Sequence, residues 1–114
     1  MMFDQPQYQN AIARIRVGYV STLRDHLENL TRLHARIVAD DARLEAFSGV
    51  HDVAHKIHGV AKTLQYDDLG RIAAEVEHAL PPAPMTAAQF EFANARLCDL
   101  IACITDICAD TDPD

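Results

Sequence analysis

The sequence is poor in the residues that interrupt helices, since only four glycines and five prolines occur among its 114 residues. No stretch alternates apolar and polar residues with a period of two, so the pattern gives no support for strands. No apolar run approaches the roughly 18 to 20 residues that span a bilayer, and the N-terminus has no basic and apolar leader. We therefore expect a helical protein that stays in the cytoplasm.

Positive charge is also scarce. The 17 Asp and Glu residues outnumber the 10 Lys and Arg residues, which leaves a net charge of -7. A chain of this charge repels the phosphates of nucleic acids and of anionic lipids. Neither nucleic acid nor a membrane surface is an expected partner.

Several motifs that carry chemistry are missing. The three cysteines are spaced by five residues, so they face different sides of a helix and form neither a CxxC redox pair nor a zinc knuckle. Nothing resembles a Walker motif or a glycine-rich loop that binds ATP. ATP-dependent kinase activity is therefore not expected.

Apolar residues recur at intervals of three and four along four segments, which predicts helices over about 7–38, 41/49–65, 67–80 and 86–109. The second segment has the most regular seam, and its residues are Phe47, Val50, Ala54, Ile57, Ala61 and Leu64. Short connections between four amphipathic helices favour an all-α, antiparallel (up-down) four-helix bundle. With 49% hydrophobic residues, one core and a single domain over 1–114 are expected.

Polar residues mark the expected helix ends. Asp40 and Asp41 are available to cap the second helix, although Ser48-Gly49 could interrupt it, so its start is expected between 41 and 49. Asp67 and Asp68 are candidate caps for the third helix, and the prolines of 81–84 should stop it. The fourth helix has the clearest start signal, a capping box with a hydrophobic staple, formed by Thr86 with Gln89 and by Met85 with Phe90.

Four side chains of the second helix lie within a narrow arc, beside its apolar seam: His51, His55, His58 and Lys62. Helical side chains lean toward the N-terminus, so residue 59 covers the surface above His55. That residue is Gly59, which covers nothing. A glycine inside a helix costs roughly 1 kcal/mol against alanine. The presence of Gly59 therefore indicates either close approach by another protein or tight packing of a neighbouring helix.

The segment from Ala54 to Leu69 resembles the signature of histidine-containing phosphotransfer (HPt) domains. That signature is a histidine, then an aliphatic residue at +2, usually lysine at +3, glycine at +4, a small residue at +6 and leucine at +14. The matching residues are His55, Ile57, Gly59, Ala61 and Leu69. The motif is short, but the four-helix pattern and the length fit the family over nearly the whole chain.

The resemblance implies an HPt-like bundle in which His55 is phosphorylated. The histidine would accept a phosphoryl group from a receiver-domain aspartyl phosphate, or from a hybrid kinase, and pass it to a response regulator. No cofactor is expected on this chain, because Mg²⁺ and the acidic pocket would lie on the receiver. The implied partners are receiver domains and a sensor or hybrid histidine kinase, and we expect a monomer.

The resemblance also implies supporting roles. Glu77 falls where the family often has a residue near the phosphorylated histidine, so it is expected to orient His55 and fix its tautomer. A solvated surface acid is the alternative for Glu77. We expect His51, His58, Gly59 and Lys62 to support the phosphate or docking.

Two positions depart from the signature. His58 replaces the usual lysine, which weakens the positive charge expected near the phosphate at neutral pH. Lys62, one turn further along the same flank, could supply that charge instead. Gln65 replaces the usual glycine ten residues after the histidine.

Two other functions fit parts of the pattern. His51 and His55 have the spacing of metal ligands, and Glu75 with His78 forms a Glu-x-x-His pair like those of di-iron bundles. That metal site would be incomplete, because the first helix offers only Glu28 as a bridging acid. A bundle that binds a partner without any chemistry is the third interpretation.

Overall fold

The structure of the protein, a computed structural model, describes residues 6–80 and 86–111. Four α-helices run in chain order, α1 (Pro6–Val38), α2 (Arg43–Thr63), α3 (Asp67–Ala79) and α4 (Ala87–Thr111). These ranges contain no strand, and the predicted all-α class is confirmed. None of the helices in them has an apolar stretch long enough to cross a membrane.

Each helix packs against its neighbour in the chain, and α4 also packs against α1, which closes the bundle. Contacts at the helix ends show the relative directions of α1 and α2. Arg16, in the first half of α1, donates to the carbonyl of Leu64 just after α2 ends. Arg36, near the end of α1, donates to Glu45 at the start of α2. The protein is therefore the antiparallel four-helix bundle that the sequence predicts.

The apolar seams form one core. No seam residue of α2 is more than 3% exposed, and Ala93, Leu97, Leu100 and Ile104 of α4 are equally buried. Burying a side chain such as leucine or isoleucine stabilises a fold by about 1.5–3 kcal/mol, so these seams supply most of the driving force.

The spacing of Ile15 from Ile12 and Tyr19 places it in the apolar stripe of α1, but its side chain is 54% exposed. The length of α1 is not the reason, because Ile12, one turn nearer the N-terminus, is buried. At about 100° per residue Ile15 lies about 60° round the helix from Ile12, at the edge of the apolar stripe. Ile15 lies where α2 ends, and it lines a surface groove with Val60 and Leu64.

The second helix runs without a break through Ser48-Gly49. A Cβ atom at Gly49 would lie 3.1 Å from Cδ1 of Leu33, which is closer than almost any real contact. Gly49 therefore lets α1 approach α2 closely, and it does not interrupt the helix.

The aspartates expected to cap α2 do not do so. The N-cap is Ala42, which has a left-handed backbone (φ 47°) and no side-chain cap. Asp40 and Asp41 form ion pairs instead, at 3.5 Å with Arg43 and at 3.9 Å with Arg36. These exposed pairs contribute little to stability.

The start of α3 also differs from the prediction, because its N-cap is Tyr66, and Asp67 and Asp68 lie in the first turn. There they face the positive end of the helix dipole. At α4 the capping box is present, since Gln89 N donates to Thr86 Oγ1 and Thr86 N donates to Gln89 Oε1. The staple residue Met85, the prolines of 81–84 and the chain end at 112–114 lie outside the described residues.

The end of α2 is a Schellman motif, in which Tyr66 N donates to Ala61 O and Gln65 N donates to Lys62 O. This motif places Gln65 in the left-handed region, with φ 63°. Glycine is favoured there, and Gln65 is the residue that replaces the glycine of the HPt signature. Arg16 stabilises the turn from α1, because it donates to the carbonyls of Leu64 and Gln65 at 2.8 and 2.7 Å.

Gln65→Gly should therefore raise the free energy of unfolding by about 1 kcal/mol, because it removes the left-handed strain and keeps the backbone bonds of Arg16. Chemical denaturation followed by circular dichroism measures the change. Thr63→Gly is the control, since residue 63 is helical and glycine is the poorer helix former, so this substitution should lower the free energy of unfolding by a few tenths of a kcal/mol. Equal loss of stability in both variants would contradict this account of the turn.

Candidate functional site

The exposed flank of α2 carries three histidines. The side chain of His55 is 73% exposed, whereas those of His51 and His58 are about half exposed. The rings of His51 and His55 are nearly parallel, with centroids 6.5 Å apart. Because Ala54 and Ile57 on the opposite side are fully buried in the core, the register of this flank is fixed by packing.

The third helix brings an acid to this flank. It packs antiparallel to α2, and small residues let the two helices approach, since a Cβ atom at Gly70 would lie 3.5 Å from Cβ of Ala61. Val76 is fully buried, and its neighbour Glu77 points along the α2–α3 boundary with only 14% of its side chain exposed. The alternative of a solvated surface acid therefore does not describe Glu77.

Glu77 contacts two histidines at once. Its Oε2 lies 2.7 Å from Nδ1 of His55, and its Oε1 lies 2.8 Å from Nδ1 of His58. An ionised carboxylate only accepts hydrogen bonds, so Nδ1 of each ring carries the proton and donates it. In a neutral imidazole this leaves Nε2 without a proton. His55, the most exposed of the three histidines on this flank, thus presents a lone pair on Nε2.

The same contacts determine the charge of Glu77. Partial burial raises the pKa of its carboxyl, but the hydrogen bonds from His55 and His58, with the charges of the two rings, outweigh that effect. The pKa therefore lies below its ordinary value of 4.5, and Glu77 is ionised at neutral pH.

The surface around His55 is open. Gly59 is exposed, and a Cβ atom built on it meets nothing within 4 Å. Packing of a neighbouring helix therefore does not explain this glycine. Lys62 is exposed one turn beyond His58, and it forms no ion pair with any side chain in the described ranges.

The residues of the metal hypothesis are not brought together. Glu75 pairs with Arg71 at 3.2 Å and with Arg96 at 3.9 Å. His78 donates from Nδ1 to its own helix, at the carbonyl of Ala74. Across residues 10–80 and 86–110, no group of three or more His, Cys, Asp or Glu residues could hold a metal ion.

The contact between His58 and Glu77 is the feature that sequence reasoning missed. His58 was expected to support the phosphate or docking in place of the lysine of the signature, and not to contact Glu77. The sequence signal for this contact was the spacing of the two histidines. His58 lies three positions after His55 and therefore on the same flank of α2, so an acid that reaches one ring can reach both.

Comparison with known proteins identifies a family. The Hpt domain family matches residues 14–110, which is most of the chain and includes α2 and α3 with all the residues of the site. No curated protein and no solved structure matches the chain with significance.

The lowered pKa of Glu77 predicts how stability depends on pH. A carboxyl whose pKa is lower in the folded state contributes fully above its unfolded pKa, and loses that contribution as the pH falls through the folded value. Glu77→Gln should therefore reduce the free energy of unfolding at neutral pH, and the difference from the unmodified protein should shrink below about pH 4.5. Urea denaturation across this range measures it. A difference that stays constant down to pH 2 would contradict the assignment.

Proposed function

This chain belongs to the Hpt domain family, and from that membership together with the geometry of the site we propose that it carries a phosphoryl group on Nε2 of His55. Hpt domains act in phosphorelays of two-component signalling, where they are phosphotransfer modules and not kinases. They interact there with receiver domains and histidine kinases. The observation that carries the proposal is the 2.7 Å contact between Glu77 Oε2 and Nδ1 of His55.

In the proposed reaction the lone pair of Nε2 attacks the phosphorus of an aspartyl phosphate on a receiver domain. A P–N bond forms, the bond from phosphorus to the aspartate oxygen breaks, and the aspartate leaves as a carboxylate. The phosphorylated ring becomes cationic because Nδ1 keeps its proton. The negative charge of Glu77 then stabilises this ring through the existing hydrogen bond.

The chain itself supplies few other groups. We propose that Mg²⁺ and the acidic pocket for the in-line transition state belong to the receiver domain, so no cofactor is required here. The open surface above Gly59 would admit the receiver's active site, and Lys62 and His51 on the same flank would contact the phosphate or the receiver. The group would then pass from His55 to the aspartate of a response regulator by the reverse reaction.

The direct test is to incubate the protein with a phosphorylated receiver domain and to measure acid-labile label on this chain. His55→Gln should abolish labelling and keep the helical circular dichroism spectrum. His78→Gln is the matched control and should be labelled normally, because that ring bonds to the carbonyl of Ala74 in its own helix and not to Glu77. Label that persists on His55→Gln, or that maps to His51 or His58, would refute the assignment, and a chain that binds the receiver without labelling would be an interaction module.

A further inference from the structure

His55 and His58 do not compete for Glu77, because each donates a hydrogen bond to a different oxygen of its carboxylate. The two distances, 2.8 Å from Oε1 and 2.7 Å from Oε2, are both those of strong charge-assisted hydrogen bonds. The carboxylate therefore lies between two rings of the same helix. Its plane is set by two donors that α2 itself holds three residues apart.

A hydrogen bond from His55 alone would leave the side chain of Glu77 less constrained. A glutamate side chain has three torsions, and rotation of its carboxylate has a broad, roughly two-fold profile. The side chain reaches the site from α3, across a helix boundary, so small rotations move Oε2 relative to Nδ1 of His55. A second hydrogen bond at Oε1 removes most of this freedom.

A lysine, the residue that the HPt signature has at this position, would not constrain the carboxylate in the same way. Its ammonium is a mobile point charge on a flexible stem, whereas an imidazole donates from one fixed direction. His58 is half exposed, and among the side chains that the structure describes its only hydrogen-bond partner is Glu77. This one hydrogen bond therefore orients both the ring of His58 and the carboxylate of Glu77.

We infer that His58 is a positioning residue for His55: it holds Oε1 of Glu77 and thereby keeps Oε2 aligned with Nδ1 of the phosphorylated histidine. This inference rests on the proposed function and adds a residue to it. His58 need not contact the phosphoryl group or the receiver. Its effect on transfer passes through the tautomer and orientation of the His55 ring.

The test compares two substitutions at position 58. In asparagine the amide nitrogen is as many bonds from Cβ as Nδ1 is in histidine, so His58→Asn can still donate to Oε1 of Glu77. His58→Leu keeps a side chain of similar bulk and cannot donate. His78→Leu is the matched control, because it removes a histidine next to Glu77 that forms no bond with it.

The first measurement is the tautomer of His55, read from ¹⁵N chemical shifts at a pH where imidazoles are neutral. The unmodified protein, His58→Asn and His78→Leu should show the proton on Nδ1, whereas His58→Leu should show a substantial population with the proton on Nε2. The second is the rate of phosphotransfer, which should fall on the order of tenfold in His58→Leu and recover in His58→Asn.

A normal tautomer and a normal rate in a folded His58→Leu variant would overturn the inference, as would an equal loss of rate in the Leu and Asn variants with the tautomer unchanged. The tautomer requires no partner protein. Absence of label on His55 in the unmodified protein would therefore count against the proposed function, whereas the ¹⁵N result judges the role of His58 separately.

Discussion

The carboxylate of Glu77, held between Nδ1 of His55 and Nδ1 of His58, is the interaction on which the geometry of the site and the proposed phosphotransfer depend. It crosses from α3 to α2, so it exists only when the two helices pack in the right register. That register is set by the fully buried seam of α2, by Val76 beside the acid and by the close approach of Gly70 to Ala61. The bundle positions one acid, and the acid determines which nitrogen is free.

The separation of an apolar core from a polar surface explains why only a few polar residues are needed to form the site. All the buried side chains of the core, within the part of the chain that the structure describes, are apolar, and the polar groups of the site lie at the edge of α2 and α3. Glu77 is mostly buried, and it keeps its charge there because two donors satisfy both of its oxygens. His55 stays mostly exposed, so it is presented to a partner without any movement of the fold.

Much of the fold could be predicted because it follows from periodicity. The seam of α2 and the capping box of Thr86 and Gln89 depend on residues close together in the sequence, and the structure contains both. The exposure of Ile15 could not be predicted, since this residue lies at the edge of the apolar stripe and its burial depends on how closely the end of α2 packs there. The left-handed backbone of Gln65 had a local signal, the missing glycine, but no local pattern shows that Arg16 stabilises that turn.

The candidate site, like the fold, could be predicted only in part. The place of Glu77 near His55 was expected from the resemblance to HPt domains, whereas the second hydrogen bond to His58 required the distances between helices. The roles of these residues in phosphotransfer stay predictions.

The phosphotransfer that we propose requires Glu77 to fix the proton on Nδ1 and to leave Nε2 of His55 as the nucleophile. Its most direct test is to label the protein with a phosphorylated receiver domain and to identify the bonded nitrogen by ³¹P–¹⁵N NMR. We predict phosphorus on Nε2 of His55, with Nδ1 still protonated. Phosphorus on Nδ1 of His55 would contradict it, because that nitrogen is the one committed to Glu77.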